Sequence, residues 1–337
     1  MKKAINLKSI IQVLIFLSLG IALVVWKYKG LEASEKEAMY ESFKNIRWIW
    51  MLPIVIVGFF SHFFRALRWK QLLGTMDMHP STTNITLSVL IGYLGNTVIP
   101  RFGEVAKCTI LAKYEKLSVD KLVGSILAER AFDLVCLLLV FVITLWSEFH
   151  TILPFANDLK RSIIDFIAGL SFFWTISIVL LIIGFFVFLS KWLLPKIKNS
   201  KLGVFITGIG EGLKSIFYVK SVWLFILNSL MIWVCYTTMA YIGFLAIPGL
   251  EDLSLMAALS VIAFGSIAMI ITPGGIGAYP AIIASLLVLY GINQGLGLAY
   301  GWVSWSAQTI VVIIFGFASL ILLPLVNKTN KKDEKLG

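Results

Sequence analysis

Ionisable residues stand in stretches of this chain that otherwise read as lipid-soluble: Arg101, Glu104 and Lys107 in one, Glu129, Arg130 and Asp133 in the next. A charge at membrane depth is expensive, and by default it marks a functional site. Glu129 and Asp133 are four residues apart and share a helix face. Arg130 and Asp133 are three apart, within ion-pair reach. The three cations and three carboxylates balance in formal charge, which leaves two compatible readings. One is a salt-bridge network that pins neighbouring segments together. The other is a site that opens to coordinate the headgroup of an anionic lipid, with a carboxylate exchanging protons.

Asn96 to Glu104 contains Asn96, Pro100 and Gly103 around Arg101, so an apolar run breaks there. Pro273, Gly274, Gly275 and Gly277 break a second run, ahead of Tyr279 and Pro280. Irregular backbone at membrane depth survives only inside protein or beside a wet cavity. Proline suits the first position of a helix, so return helices are expected to begin at Pro100 and Pro280. Their free N–H groups and positive dipole ends would then face the interior, where they can bind phosphate or carboxylate. Arg65 and Arg68 flank an aromatic-basic run ending in Trp69 and Lys70. Anchoring of a helix end at the interface is the favoured reading of that run, with recruitment of an anionic headgroup as the alternative.

Other chemistry finds little support. Cys108, Cys136 and Cys235 are scattered, and His62, His79 and His150 have no metal-ligand partner at helical spacing, so no metal or other cofactor is expected. Gly208 to Gly212 follows no strand and lacks the Gly-Lys-Ser/Thr of a phosphate loop. There is no nucleophile–base–acid set, and an enzyme is not expected.

The elements that must position these residues are helices. The chain has 337 residues, is 59% hydrophobic, and has a mean hydropathy of +0.91. Apolar runs at Ile10–Trp26, Trp48–Phe64, Leu122–Trp146, Phe172–Leu189, Val222–Ile247 and Leu298–Val326 are candidate spans, each near the ~20 residues a bilayer requires. Asn84–Ile99 with the charged stretch after it, and Leu253–Thr272 with Ala281–Tyr290, fit re-entrant hairpins better than spans. Residues 202–216 repeat apolar positions as an interfacial helix would. The expected fold is an all-α integral membrane protein with about six transmembrane helices and two oppositely oriented re-entrant hairpins. Residues 1–326 would form one domain and 327–337 a charged cytoplasmic tail.

A formal charge of +11 could point to nucleic acid. Sorting the lysines and arginines by loop instead places most on one face, which puts both termini in the cytoplasm and excludes nucleic acid as a partner. Opposed broken helices are the best sequence pointer to a transporter's midplane site.

Taken in order, Arg65 to Trp69, Asn96 with Pro100, Arg101, Gly103, Glu104 and Lys107, Glu129-Arg130 with Asp133, and Pro273-Gly274-Gly275-Ile276-Gly277 resemble a known family. It is the flippase-like transmembrane domain of lysylphosphatidylglycerol synthases and their stand-alone relatives. There are two departures: Lys107 stands where Arg is more usual, and Tyr279-Pro280 where relatives often carry a Glu. The resemblance implies translocation of an anionic, aminoacylated or polyprenyl-linked lipid across a bacterial inner membrane. Membrane lipids would be the partners, with room for a homo-oligomer or an envelope-synthesis partner. The alternative is an integral-membrane enzyme or accessory subunit of lipid or cell-envelope glycan synthesis.

Overall fold

A computed structural model describes residues 18, 20–98, 102–149, 151 and 218–333. Among them the chain is helical, with no strand. Residues 20–29 form a leading helix, followed by α1 (Ala33–Lys44), α2 (Met51–Gly74), α3 (Thr82–Val98), α4 (Phe102–Glu115) and α5 (Val119–Ser147). Then come α6 (Val222–Ala246), α7 (Leu255–Ile271), α8 (Ala278–Val288) and α9 (Gln294–Asp333). Trp48–Gly74, Val222–Ala246 and Gln294–Lys328 are long and apolar enough to cross a membrane. The 29-residue α5 is also of spanning length, although it carries the carboxylates. Its second half exposes Leu138, Leu139, Val142 and Trp146. That inverts the surface of a water-soluble protein. The expected span at 172–189, the interfacial helix at 202–216, Pro100 and Arg101 lie outside the described residues.

Two hydrogen-bonded junctions fix the topology. The Arg47 N–H donates to the carbonyl of Ala246 at 2.9 Å, so the start of α2 and the end of α6 share one surface. On the other surface the Asn327 amide donates to Asn84 Oδ1 at 2.8 Å, and Asn84 donates in turn to Glu115 at 2.6 Å. The base of the α3–α4 hairpin and the far end of α9 therefore meet there. From the Arg47 surface α7 goes in, α8 comes back, and α9 sets out for the Asn327 surface. The two hairpins consequently enter from opposite faces, as expected.

The tips are built differently. In the first hairpin, Gly92 and Gly95 let α3 lie directly against Gly103 of α4, where a Cβ would be driven into the Gly92 carbonyl oxygen. Asn96 Oδ1 accepts from the Gly103 N–H at 2.8 Å and so caps the return helix. The second tip is a short 3-10 turn, Pro273–Gly275, with Gly274, Gly275 and Gly277 at φ of 66°, 72° and 72°. That left-handed region suits glycine, which has no Cβ to clash. The return helix begins at Ala278, two residues before the expected Pro280, because Gly277 supplies the bend. The leading helix packs Gly20 straight onto Ile276 and Gly277.

Helix α9 joins the halves, with Gly301 against Pro280 of the second hairpin and Gly316 against Leu90 and Leu94 of the first. The larger apolar cores follow the same division. One gathers Phe244, Val261, Ile283 and Tyr300 around the second hairpin, the other Trp69, Ile85, Leu111 and Leu122 around the first.

Cysteines at Ser118 and Asp252, introduced after removal of the three native cysteines, should be labelled by an impermeant maleimide from opposite sides of the membrane. Labelling of both from one side would contradict the topology. Gly103→Ala should cost at least the ~1–3 kcal/mol typical of overpacking, read as a lower melting temperature in detergent.

Candidate functional site

Helix α2 does not stop where its apolar run ends. It runs on through Arg65 and Arg68 to Gly74, and both arginines are buried inside the protein, with side-chain exposures of 6% and 0%. This overturns the favoured expectation that they anchor a helix end at the interface. The physical reason lies across the interior, where α5 presents Glu129 and Asp133 near its midpoint on one face. Carboxylates there let the guanidinium groups stay inside a helix that would otherwise have to end. Arg65 Nη1 donates to Glu129 Oε1 at 2.9 Å and to Asp133 Oδ2 at 2.7 Å. Arg68 Nη2 donates to Asp133 Oδ1 at 2.5 Å and lies 3.7 Å from Glu129.

The return helix of the first hairpin brings a third cation. Lys107 Nζ donates to Glu129 Oε2 at 2.8 Å and sits 4.5 Å from the centre of the Trp69 ring. A cation over an indole face is favourable, more so when desolvated. Trp69 is held in turn by its indole N–H, which donates to Ser125 at 2.8 Å. A lysine suits this position, since one ammonium meets one carboxylate oxygen and one ring.

Helix α6 contributes two residues that the sequence reading missed. Arg65 Nη2 donates to the Tyr236 hydroxyl at 3.2 Å, and Arg68 Nη1 to Ser229 Oγ at 3.5 Å. A trace was visible: Ser229 and Tyr236 stand seven residues apart, two turns on one face of an apolar helix.

Glu104 and Arg130 complete the group at its rim. Arg130 Nε lies 3.1 Å from Glu104 Oε1, yet it is off-axis and makes no hydrogen bond. The other guanidinium nitrogens of Arg130 lie 3.8 Å from Glu129 and 3.6 Å from Asp133. Their side chains are 39% and 34% exposed for Arg130 and Glu104, against 0% for Glu129 and 16% for Asp133. Among the described residues, four cations (Arg65, Arg68, Lys107, Arg130) thus face three carboxylates (Glu104, Glu129, Asp133), one positive charge in excess. The balance expected from sequence omitted Arg65 and Arg68.

The remaining expected residues are placed as follows. Asn96 and Gly103 form the hairpin tip, and the N–H of Gly103 is already taken by Asn96. Gly274, Gly275 and Gly277 lie at the second tip, where the Trp305 indole donates to the Gly274 carbonyl at 2.7 Å. No ion pair of the cluster involves that tip. Tyr279 is buried and shares a 3.2 Å hydrogen bond with Ser304. A phenol there keeps a polar contact without adding a charge.

Burial divides the cluster energetically. Removing one partner of a buried pair leaves a bare charge and costs roughly 3–5 kcal/mol, whereas an exposed pair contributes about 0–1 kcal/mol. Glu129→Gln should therefore sharply lower the yield of folded protein, while Glu104→Gln should shift the melting temperature by no more than a few degrees. Circular dichroism melts in detergent measure both. Equal losses would contradict the division.

Residues 9–316 match the model of the lysylphosphatidylglycerol synthase TM region family. A UPF0104 membrane protein of Methanocaldococcus jannaschii is 26% identical over 250 residues, covering 71% of this chain and 97% of that protein. No solved structure matches. With a family match over nearly its whole length, this multi-pass membrane protein belongs to the lysylphosphatidylglycerol synthase TM region family.

Proposed function

We propose that the chain translocates a lipid with an anionic, aminoacylated or polyprenyl-linked headgroup across the bacterial inner membrane. The observation that carries this reading is the positively charged cluster of α2, α4 and α5, to which the first of two oppositely directed hairpins contributes Glu104 and Lys107. A lipid headgroup crossing the hydrocarbon needs a polar station on the way, and an excess cation favours one bearing a phosphate. A cavity of about 600 Å³ between the first hairpin and α9 supports the reading. Its lining includes Leu94, Phe102, Val105, Phe317 and Leu320, a surface suited to a hydrocarbon chain. On this proposal the Asn84–Asn327 surface is cytoplasmic, and both termini lie on that side. The first hairpin then opens toward the leaflet in which new lipid is made.

Purified protein in liposomes with a fluorescent phospholipid in both leaflets tests this by dithionite quenching. The expectation is movement of outer-leaflet and inner-leaflet lipid at least tenfold faster than in protein-free vesicles, and slower movement for Arg130→Gln. Absence of movement for every phospholipid tried, together with turnover of a lipid-linked sugar, would favour the enzyme instead.

A further inference from the structure

The seven charges of the cluster are not equivalent, and their burial indicates which of them a headgroup can reach. Arg65, Arg68, Lys107 and Glu129 are sealed, with exposures between 0% and 6%, and each is held by charge-assisted contacts of 2.5 to 2.9 Å. Opening any of them to receive a ligand would strand a buried charge. Asp133 is nearly as enclosed and already holds both arginines. Glu104 and Arg130 differ in every respect. They are more than a third exposed, and their contact is bent away from hydrogen-bonding geometry, so it is the most weakly held of the group.

Resting on the translocator reading, we propose that the Glu104–Arg130 pair is the headgroup receptor and the determinant of headgroup choice. The other five charges are a lock that holds α2, α4 and α5 together. A phosphate displaces the Glu104 carboxylate from Arg130, and the guanidinium meets it with two parallel N–H donors. The excess positive charge behind Arg130 leaves a net attraction for an incoming anion that Glu104 alone does not neutralise. Glu104 is released at the rim with an unmet negative charge, which a protonated amine on the same headgroup satisfies. The ligand class is therefore a lipid phosphodiester that also bears an amine, ahead of one that carries phosphate alone. One ion pair within the protein gives way to two with the ligand, so binding leaves no bare charge.

Native mass spectrometry of the purified full chain, offered short-chain phosphatidylethanolamine and phosphatidylglycerol in competition, tests this directly. Wild type should retain the amine-bearing lipid about tenfold more, the scale of one hydrogen bond to a charged group. E104Q should bring that ratio near one while still binding both. R130Q should lose both by about tenfold or more. Equal retention by wild type overturns the proposal, as does a preference that survives in E104Q or undiminished binding in R130Q. The wild-type ratio decides alone if a variant fails to fold. Lipid movement plays no part in this readout. Selective binding without movement in liposomes would leave the receptor standing and overturn the translocator. Movement without selectivity would do the reverse.

Discussion

The fold of the first half depends on the attraction between Glu129 and Asp133 on one helix and Arg65, Arg68 and Lys107 on two others. In a low-dielectric interior, desolvation makes each of these charges costly, and only close pairing with further hydrogen bonds offsets that cost. Each carboxylate meets more than one cation. The arginines add Tyr236 and Ser229, and Lys107 adds the Trp69 ring. Such a cluster adds little stability compared with apolar packing, but it fixes register. Apolar side chains tolerate sliding of one helix past another. Slipping α5 by a single turn would leave only one of its two carboxylates in place for the arginines and Lys107.

That constraint explains the shape of the first hairpin. Lys107 can reach Glu129 only if α4 turns back inside the membrane soon after α3, and Gly92, Gly95 and Gly103 permit the close approach this requires. Asn96 then closes the turn by accepting the Gly103 N–H. The second hairpin has no buried ion pair to satisfy. Its tip is set by positive-φ glycines and by glycine contact with the leading helix. The two hairpins are opposed in direction but different in construction.

Much of this was legible in the sequence. Charges inside apolar runs marked Glu104, Lys107, Glu129, Arg130 and Asp133, and helical spacing placed the last three together. Glycine and proline marked both tips. Arg65 and Arg68 were misread because their local sequence is the same for an interface anchor and for a buried pair. What separates the two is a partner 64 residues away, which no local pattern records. Helix ends failed for the same reason: α2 continues through its arginines only because α5 neutralises them. Tyr236 and Ser229 left a faint trace because single polar residues are common in membrane helices. The seat of Gly20 against Gly277 left none, since small residues pair through shape alone.

The asymmetry between sealed and open charges bears on how one cluster can be both structural and functional. A site that must let a headgroup in and out cannot rely on contacts whose rupture would unfold it. Nor can a helix-binding lock rely on contacts that water screens. Here α4 and α5 carry both kinds. Lys107 and Glu129 pair in the dry interior, and Glu104 and Arg130 pair one position or one turn away at the rim. Each helix therefore ties its exchangeable charge rigidly to a fixed one. In the proposed exchange of Glu104 for a ligand on Arg130, the backbone beneath both side chains is still held by Lys107 and Glu129. Rearrangement is thereby confined to the side chains at the mouth, and the hairpin keeps its place while the headgroup changes.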